Sequence, residues 1–407
     1  MAKYGKDYDL DDQEIDTQEL SGIIKAEMDD ARDFIDQVGN ERSENTDYYL
    51  GSEPYATSEL QSEYISTDVR DSVLFMLPSI MRTFFGSKKI VEFIPHGPED
   101  IEVAEQQTDY INYVISQKNN GFQVMYNAFK DALVRKSGFV KAYYDEGLTV
   151  TNHSYTGLTP TQRDALLADE EIEVVSEKGE TMSREIYDPQ EQKEITQEIP
   201  LRYDMRIRRV RRNNKVCIDA IPPEEILIAR DARTIETASY VAHRRMMTIS
   251  ELVQMGYEYD EVASFAGGGN YMDPETQIEI QARNPFSDMS GPDRPDNNEV
   301  YYVEHYLNYD LDNDGIDEKI KICTIGEGCN ILDVEPCDHL PIVMFCPDPE
   351  PHTVIGSCPA DYLKPIQAAK SQIMRDSLDS LGHAIFPRYA VVEGQVNLED
   401  LMNTDIG

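Results

Sequence analysis

The chain has 407 residues, 37 of them basic and 77 acidic, for a formal charge of −40; that length allows two or three domains with cores of their own. So acidic a surface repels nucleic acid and anionic membrane on average, so any contact with either must be local or weak. High charge alone would fit disorder, but 40% hydrophobic residues and 24 tyrosines argue for folded, surface-rich domains.

No run is long and apolar enough to span a bilayer. The opening MAKYGKDYDLDDQEID has no apolar segment of a secretion signal, so the chain is expected to be made and kept in a cytosol. Residues 1–55 read as an acidic arm and a helix from Ser21. Ile23, Ile24, Phe34, Ile35 and Val38 carry that helix as far as Gly39. GSEPYATSE is a loop.

Residues 56–150 read as a compact α+β unit. Ser66 or Thr67 caps the helix in STDVRDSVLFMLPSIMRTFFGS, Gly86 ends it, and a bend is expected at Pro78. Its stripe is Val69, Val73, Leu77, Ile80, Met81 and Phe84. A strand, KIVEFIP, follows. A second helix begins after Pro98, with Glu99 and Asp100 in its first turn, where acids complement the helix dipole. It carries Ala104, Gln107, Ile111, Val114 and Ile115 until Asn119-Asn120-Gly121 stops it. A third helix runs from Phe122 to Ser137, and FVKAYYDE is a strand.

Residues 151–295 read as β-rich, with one short helix (TPTQRDALLAD) in an acidic stretch and a mobile loop over 266–298. In PLRYDMRIRRVRRNNK, Leu201, Tyr203, Met205 and Ile207 alternate with Arg202, Asp204, Arg206 and Arg208, the period of a half-buried strand. Arg209, Arg211, Arg212 and Lys215 extend this basic ribbon. It could hold phosphate, but with so much acid available, pairing of Arg202, Arg206 and Arg208 with acids of a neighbouring subunit is the favoured reading. Strand, loop, strand and a short helix from Thr248 come next. Residues 296–350 supply four more strands, EVYYVEHYLNYD, EKIKICTIG, NILDVEP and PIVMFCP.

Between the first two of these lies Asp310-Leu-Asp312-Asn-Asp314-Gly315-Ile-Asp317-Glu318. It matches the opening of an EF-type calcium loop, with alternating carboxylates and a glycine at the sixth position. The twelfth position, however, is Lys321 and the flanks read as strands. A hairpin turn built from Asp, Asn and Gly is therefore the preferred reading, with Ca²⁺ the one candidate cofactor. Cysteines 217, 323, 329, 337, 346 and 358 form no C-x₂-C pair, so free thiols are expected rather than zinc. No Walker A, G-x-S-x-G, H-E-x-x-H or dinucleotide fingerprint is present, which argues against an enzyme.

Residues 356–386 read as one long amphipathic helix. Leu363, Ile366, Ile373, Met374, Leu378, Leu381 and Ile385 recur at three- and four-residue steps, and Pro365 marks a restart or a kink. The opposite face, Lys364, Lys370, Arg375, Asp376 and Asp379, mixes charges and suits contact with like helices of neighbouring copies. An ordinary amphipathic helix on its own domain is the plainer alternative.

In order and spacing, these pieces resemble the portal proteins of short-tailed bacteriophages. The resemblance rests on ISTDVRDSVLFMLPSIMRTFFGS, VEFIPHGPEDIEVAEQQTDYINYVI, GFQVMYNAFKDALVRKSGFVKAYYDE, IPPEEILIARDA, the acidic hairpin after VEHYLNYD, and PIQAAKSQIMRDSLDSLGHAIFPRYAVVEG. It implies an α+β portal fold and a ring, usually dodecameric, at one capsid vertex of the virion, assembled in the host bacterial cytoplasm. Double-stranded DNA, weakly bound, passes through such a ring. The partners implied are capsid protein, terminase and tail adaptors, with the ATPase a separate protein and no membrane. Residues 56–350 would be mostly wing, 359–385 a stem helix, and 387–407 the start of a clip; the strands of 296–350 could instead be clip. Family members usually continue through a second stem helix, channel loop and crown, so the chain is expected to be truncated. The alternatives are a tail adaptor or other virion structural protein, a calcium-dependent binding protein, and a nucleic-acid enzyme.

Overall fold

The computed structural model describes residues 17–52, 62–87, 89–145, 147–169, 171–188, 193–212, 214–265, 274–284, 299–310 and 315–385. Its helices are α1 (Thr17–Leu50), α2 (Asp68–Phe85), α3 (Ile101–Tyr113), α4 (Gly121–Arg135), α5 (Pro160–Leu167), α6 (Ile249–Gln254), α7 (Tyr259–Ala263), α8 (Pro274–Arg283) and α9 (Pro359–Ile385). Its strands are β1 (Gly138–Asp145), β2 (Leu148–Leu158), β3 (Ile172–Asp188), β4 (Lys193–Arg212), β5 (Lys215–Ile221), β6 (Ile226–Ile228), β7 (Tyr240–Thr248), β8 (Glu299–Tyr309), β9 (Glu318–Ile325), β10 (Asn330–Pro336) and β11 (Ile342–Phe345). The mixture is the α+β class expected.

The described strands form three sheets, ordered β10-β9-β8-β7-β6, β11-β1-β5 and β2-β4-β3. One face of the five-stranded sheet (Tyr240, Ala242, Tyr301, Val303, Leu307, Ile320, Ile322) is covered by Leu20, Ile24, Met28, Ala31 and Ile35 of α1. Its other face meets Phe139 of β1, Ile221 of β5 and Ile342 of β11. Each such aliphatic side chain contributes about 1.5–3 kcal/mol on burial. β7 pairs with β8 along its whole length, Tyr240 with Leu307 through Thr248 with Glu299. Residues on either side of the expected boundary at 295/296 therefore share one sheet.

α1 does not stop near Gly39 but runs to Leu50. Propensity loses to tertiary contacts here. Arg42, fully buried, donates to Pro223 O at 3.2 Å and to Ser137 Oγ at 3.1 Å. Gly39 is where α8 comes close, for a Cβ there would meet Glu279 Oε2 at 3.2 Å. The real stop is Gly51 at φ +78°, whose N–H and that of Ser52 both donate to Asp47 O at 2.9 Å.

Two further expectations are corrected. KIVEFIP is not a strand. Asn112 of α3 accepts from the Ile90 and Val91 N–H groups at 2.6 and 3.2 Å and donates to Val91 O at 2.8 Å, while Thr108 accepts from Phe93 N at 3.0 Å. A helix's side chains thus take the place of a neighbouring strand, and the buried positions of α3 are Ala104, Thr108 and Asn112, with Gln107 exposed. Second, the expected mobile loop 266–298 contains α8. Arg283 of α8 bonds Glu224 at 2.8 and 2.7 Å and Asp131 at 3.1 and 3.2 Å. Thr276 accepts from Arg244 at 2.8 Å. Glu279 lies 4.0 Å from Arg42 in surroundings dry enough to push its carboxyl up to about 7.

Candidate assembly surface

α9 extends about 40 Å at 1.5 Å per residue. Pro365 sits inside it, and the helix continues past Gly382 to Ile385. Its buried residues are Ala360, Gln367, Ser371 and Arg375. A helix normally turns its apolar side inward; this one turns polar residues inward, and the rest of the chain explains why.

The C-terminal end of α1 and the N-terminal end of α2 meet against α9, and both ends carry backbone groups without intrahelical partners. Thr67 occupies the N-cap position of α2, but its side chain makes no capping bond. Gln367 does that work from α9: its Oε1 accepts from Val69 N at 2.9 Å, and its Nε2 donates to Tyr48 O at 3.0 Å. Ser371 Oγ accepts from Ser66 N at 3.0 Å. Arg375 Nε donates to Tyr64 O at 2.7 Å, and Asp379 Oδ1 accepts from Ser62 N at 2.8 Å. Gln367 thus bridges α1 and α2, and the next three polar side chains, one per turn of α9, hold the extended segment 62–66 that leads into α2. Lower down, Asp361 accepts from Asn45 at 3.0 Å and from Cys358 N at 2.9 Å. Burial pushes its carboxyl up, but these bonds and Lys136 outweigh that and hold it below its usual value.

The charged residues expected to face other copies are largely engaged within the chain. Lys364 pairs with Glu44 at 2.7 Å and Lys370 with Asp68 at 2.6 Å. The hydrogen bond from Lys370, and then that from Ser66, hold Asp68 below the ordinary carboxylate range. Asp376 accepts from Gln372 of its own helix at 2.9 Å. Apolar residues are exposed in number: Tyr362, Ile366, Ile373, Met374, Leu378, Leu381 and Ile385, beside polar Gln372, Asp376, Ser377 and Ser380. Pro365, Ile366, Ala369, Lys370, Ile373 and Met374 line a shallow depression of about 540 Å³. Several of the charged residues expected to meet neighbouring copies thus have partners within the chain. A signal was present in the sequence: Gln367, Ser371, Arg375 and Asp379 stand four residues apart, a polar stripe along one line of the helix.

Ala360, Lys364, Gln367, Ser371, Met374, Leu378, Leu381 and Ile385 follow one another at alternating steps of four and three. That is the spacing of a coiled-coil seam. The first four lie against the chain's own helices, with Ala360, Gln367 and Ser371 fully buried. The last four are apolar and exposed by 41, 42, 57 and 60%. The seam becomes hydrophobic where it leaves its own subunit. α2 adds exposed Leu74 and Phe75, the latter 83% accessible, and the segment beside α3 adds Ile94.

The basic ribbon is strand β4, the middle of its sheet. Met205 and Ile207 are buried, and Arg202, Arg206 and Arg208 are exposed on the other face, as the alternation predicts. Opposite them across the sheet stand Glu180 to Arg202, Ser154 and Ser176 to Arg206, and Asn152 and Glu173 to Arg208. Acids of the same chain engage other arginines: Asp169 with Arg209 at 2.6 Å, Glu171 with Arg211 at 2.9 Å, and Glu177 with Arg163 at 2.6 Å.

At the candidate calcium loop, β8 and β9 pair antiparallel up to Tyr309 and Glu318, so the flanks are strands. Gly315, at φ +86°, donates its N–H to Asp310 Oδ2 at 2.8 Å. Asp317 and Glu318 stand at the start of β9; Asp312 and Asp314 lie outside the described residues. Among the described residues no cluster of three or more His, Cys, Asp or Glu is arranged to hold a metal ion. The six cysteines are free thiols, four of them buried. No described helix is long and apolar enough to cross a membrane. The segment expected to begin a clip, 387–407, also lies outside the described residues.

A family model described as phage SU10 portal protein matches residues 20–407. No curated protein matches the chain.

Proposed function

The chain belongs to the phage SU10 portal protein family, and from that premise we propose that it is the subunit of a closed ring, dodecameric in its complete form, set at one vertex of the capsid. The ring is a structural conduit, not an enzyme. Double-stranded DNA enters and leaves through it, terminase and tail adaptors dock on it, and it is assembled in the cytoplasm of the host bacterium. The observation that carries this reading is the outward seam of α9. Four apolar residues in coiled-coil register, left exposed on a helix whose Gln367, Ser371, Arg375 and Asp379 are engaged within the chain, favour a second protein surface over water. A repeated contact between unlike patches closes into a ring when its rotation allows.

On this reading α9 is a stem helix, and residues 56–350 are mostly wing. The shared sheet of β7 and β8 supports placing 296–350 with the wing rather than the clip. Arg202, Arg206 and Arg208 would meet acids of a neighbouring copy. A surface of net charge −40 suits a conduit, since dense lysine and arginine contacts to phosphate would brake the DNA. The Asp310 hairpin is read as a turn, with calcium binding at most weak; a calorimetric titration in which Asp312→Ala abolished tight binding would reverse that. Electron microscopy of the protein tests the central reading: closed rings with an axial channel are expected, and particles of subunit size at micromolar concentration would contradict it.

A further inference from the structure

A cleft of about 370 Å³ opens between the last turn of α1 (Thr46, Tyr49, Leu50), one face of α4, the end of β5 and Arg283 of α8. Its lining holds Lys130, Arg135 and Arg283 with one carboxylate, Asp131, while Glu224 and Glu279 act on the arginines from behind the wall. The Asp131 carboxylate is already shared. Arg135 Nη1 donates to its Oδ1 at 2.6 Å, and Arg283 Nη1 lies 3.1 and 3.2 Å from its two oxygens. Glu224 occupies the rest of Arg283. Arg135 is only 8% exposed, and its Nε has no acceptor among the described residues. Lys130 Nζ stands 5.5 Å from the Tyr49 ring and forms no ion pair among the described residues. A buried donor without an acceptor costs about 1–3 kcal/mol, which a partner at the Arg135 wall would relieve.

We propose that this cleft is an oxyanion-binding site, taking one carboxylate or phosphate group between Lys130, Arg135 and Arg283. Arg135, whose Nη1 already holds Asp131, supplies positive charge at the wall, and Lys130 adds a mobile point charge at the mouth. The bound group would tie α1, α4, β5 and α8 together, and so fix α8 in place. The oxyanion could be free in solution or be the acidic side chain of a second copy.

Thermal unfolding of the full chain in inorganic phosphate, against chloride at matched ionic strength, tests this. A ligand that binds the native state raises Tm in a saturable way. The rise should vanish in Lys130→Glu, a half-buried change at the mouth, and persist in Lys118→Glu, an exposed lysine that stands by Tyr113 in the same manner. Sedimentation of the same samples separates the sources. For a free oxyanion, assembly is unaffected by phosphate. For a neighbour's carboxylate, phosphate and Lys130→Glu each lower the assembled fraction, and phosphate does nothing further to the variant. Equal Tm shifts in all three proteins, or no shift together with unaltered assembly, would overturn the proposal.

Discussion

At the scale of single residues, Gln367 carries an unusual share of the architecture. It satisfies one donor of α2 and one acceptor of α1 from within α9, at a position with no exposure. Gln367→Leu keeps the bulk but leaves the Val69 N–H and the Tyr48 C=O buried without partners, and should cost about 2 kcal/mol or more. Gln367→Glu keeps the acceptor for Val69 but presents a carboxylate to the Tyr48 carbonyl. It should be destabilised near neutral pH and recover in part under acid, where a protonated carboxyl can donate. Chemical denaturation of the two variants at pH 5 and pH 7.5 checks this; a Leu variant as stable as the parent would show that the bonds carry no weight. Such a residue is hard to find from sequence. Glutamine in a helix reads as a solvent-facing position, and only the four-residue recurrence of Gln367, Ser371, Arg375 and Asp379 hints otherwise.

Elements were legible where one face alone decided their place. The stripe of α2, the third helix after Asn120, the four strands from Glu299 to Phe345 and the alternation of β4 all follow from period and punctuation. α1 beyond Gly39, the extended segment beside α3 and α8 did not. Each is held by polar side chains distant in sequence: Arg42 by Pro223, Ile90 and Val91 by Asn112, and α8 by Asp131 and Glu224. Local pattern carries no record of such pairs. β4 supplies the prediction at this scale. Arg206 and Arg208 share an exposed face, with like charges on alternate residues about 7 Å apart. Single exposed pairs contribute roughly 0–1 kcal/mol, but a closed ring repeats them at every interface. Arg206→Glu with Arg208→Glu should therefore weaken assembly, more at low salt than at high, while circular dichroism stays unchanged. Ring mass unaltered at both salt concentrations would remove these arginines from the interface.

For the whole molecule, the class and the family were readable from the order of segments, whereas the orientation of α9 was not. Amphipathicity says that a helix has two faces; it does not say which one the chain keeps for itself. Here the polar stripe is claimed by the end of α1, the start of α2 and the extended segment 62–66, and apolar residues are left for another surface. The most direct measurement is the sedimentation of the protein beside a Leu378→Asp, Leu381→Asp double variant, read with thermal unfolding of each subunit. Both residues are exposed in the subunit, so its Tm should hold, while the assembled fraction should fall by at least tenfold. A double variant that assembles as fully as the parent would contradict the account.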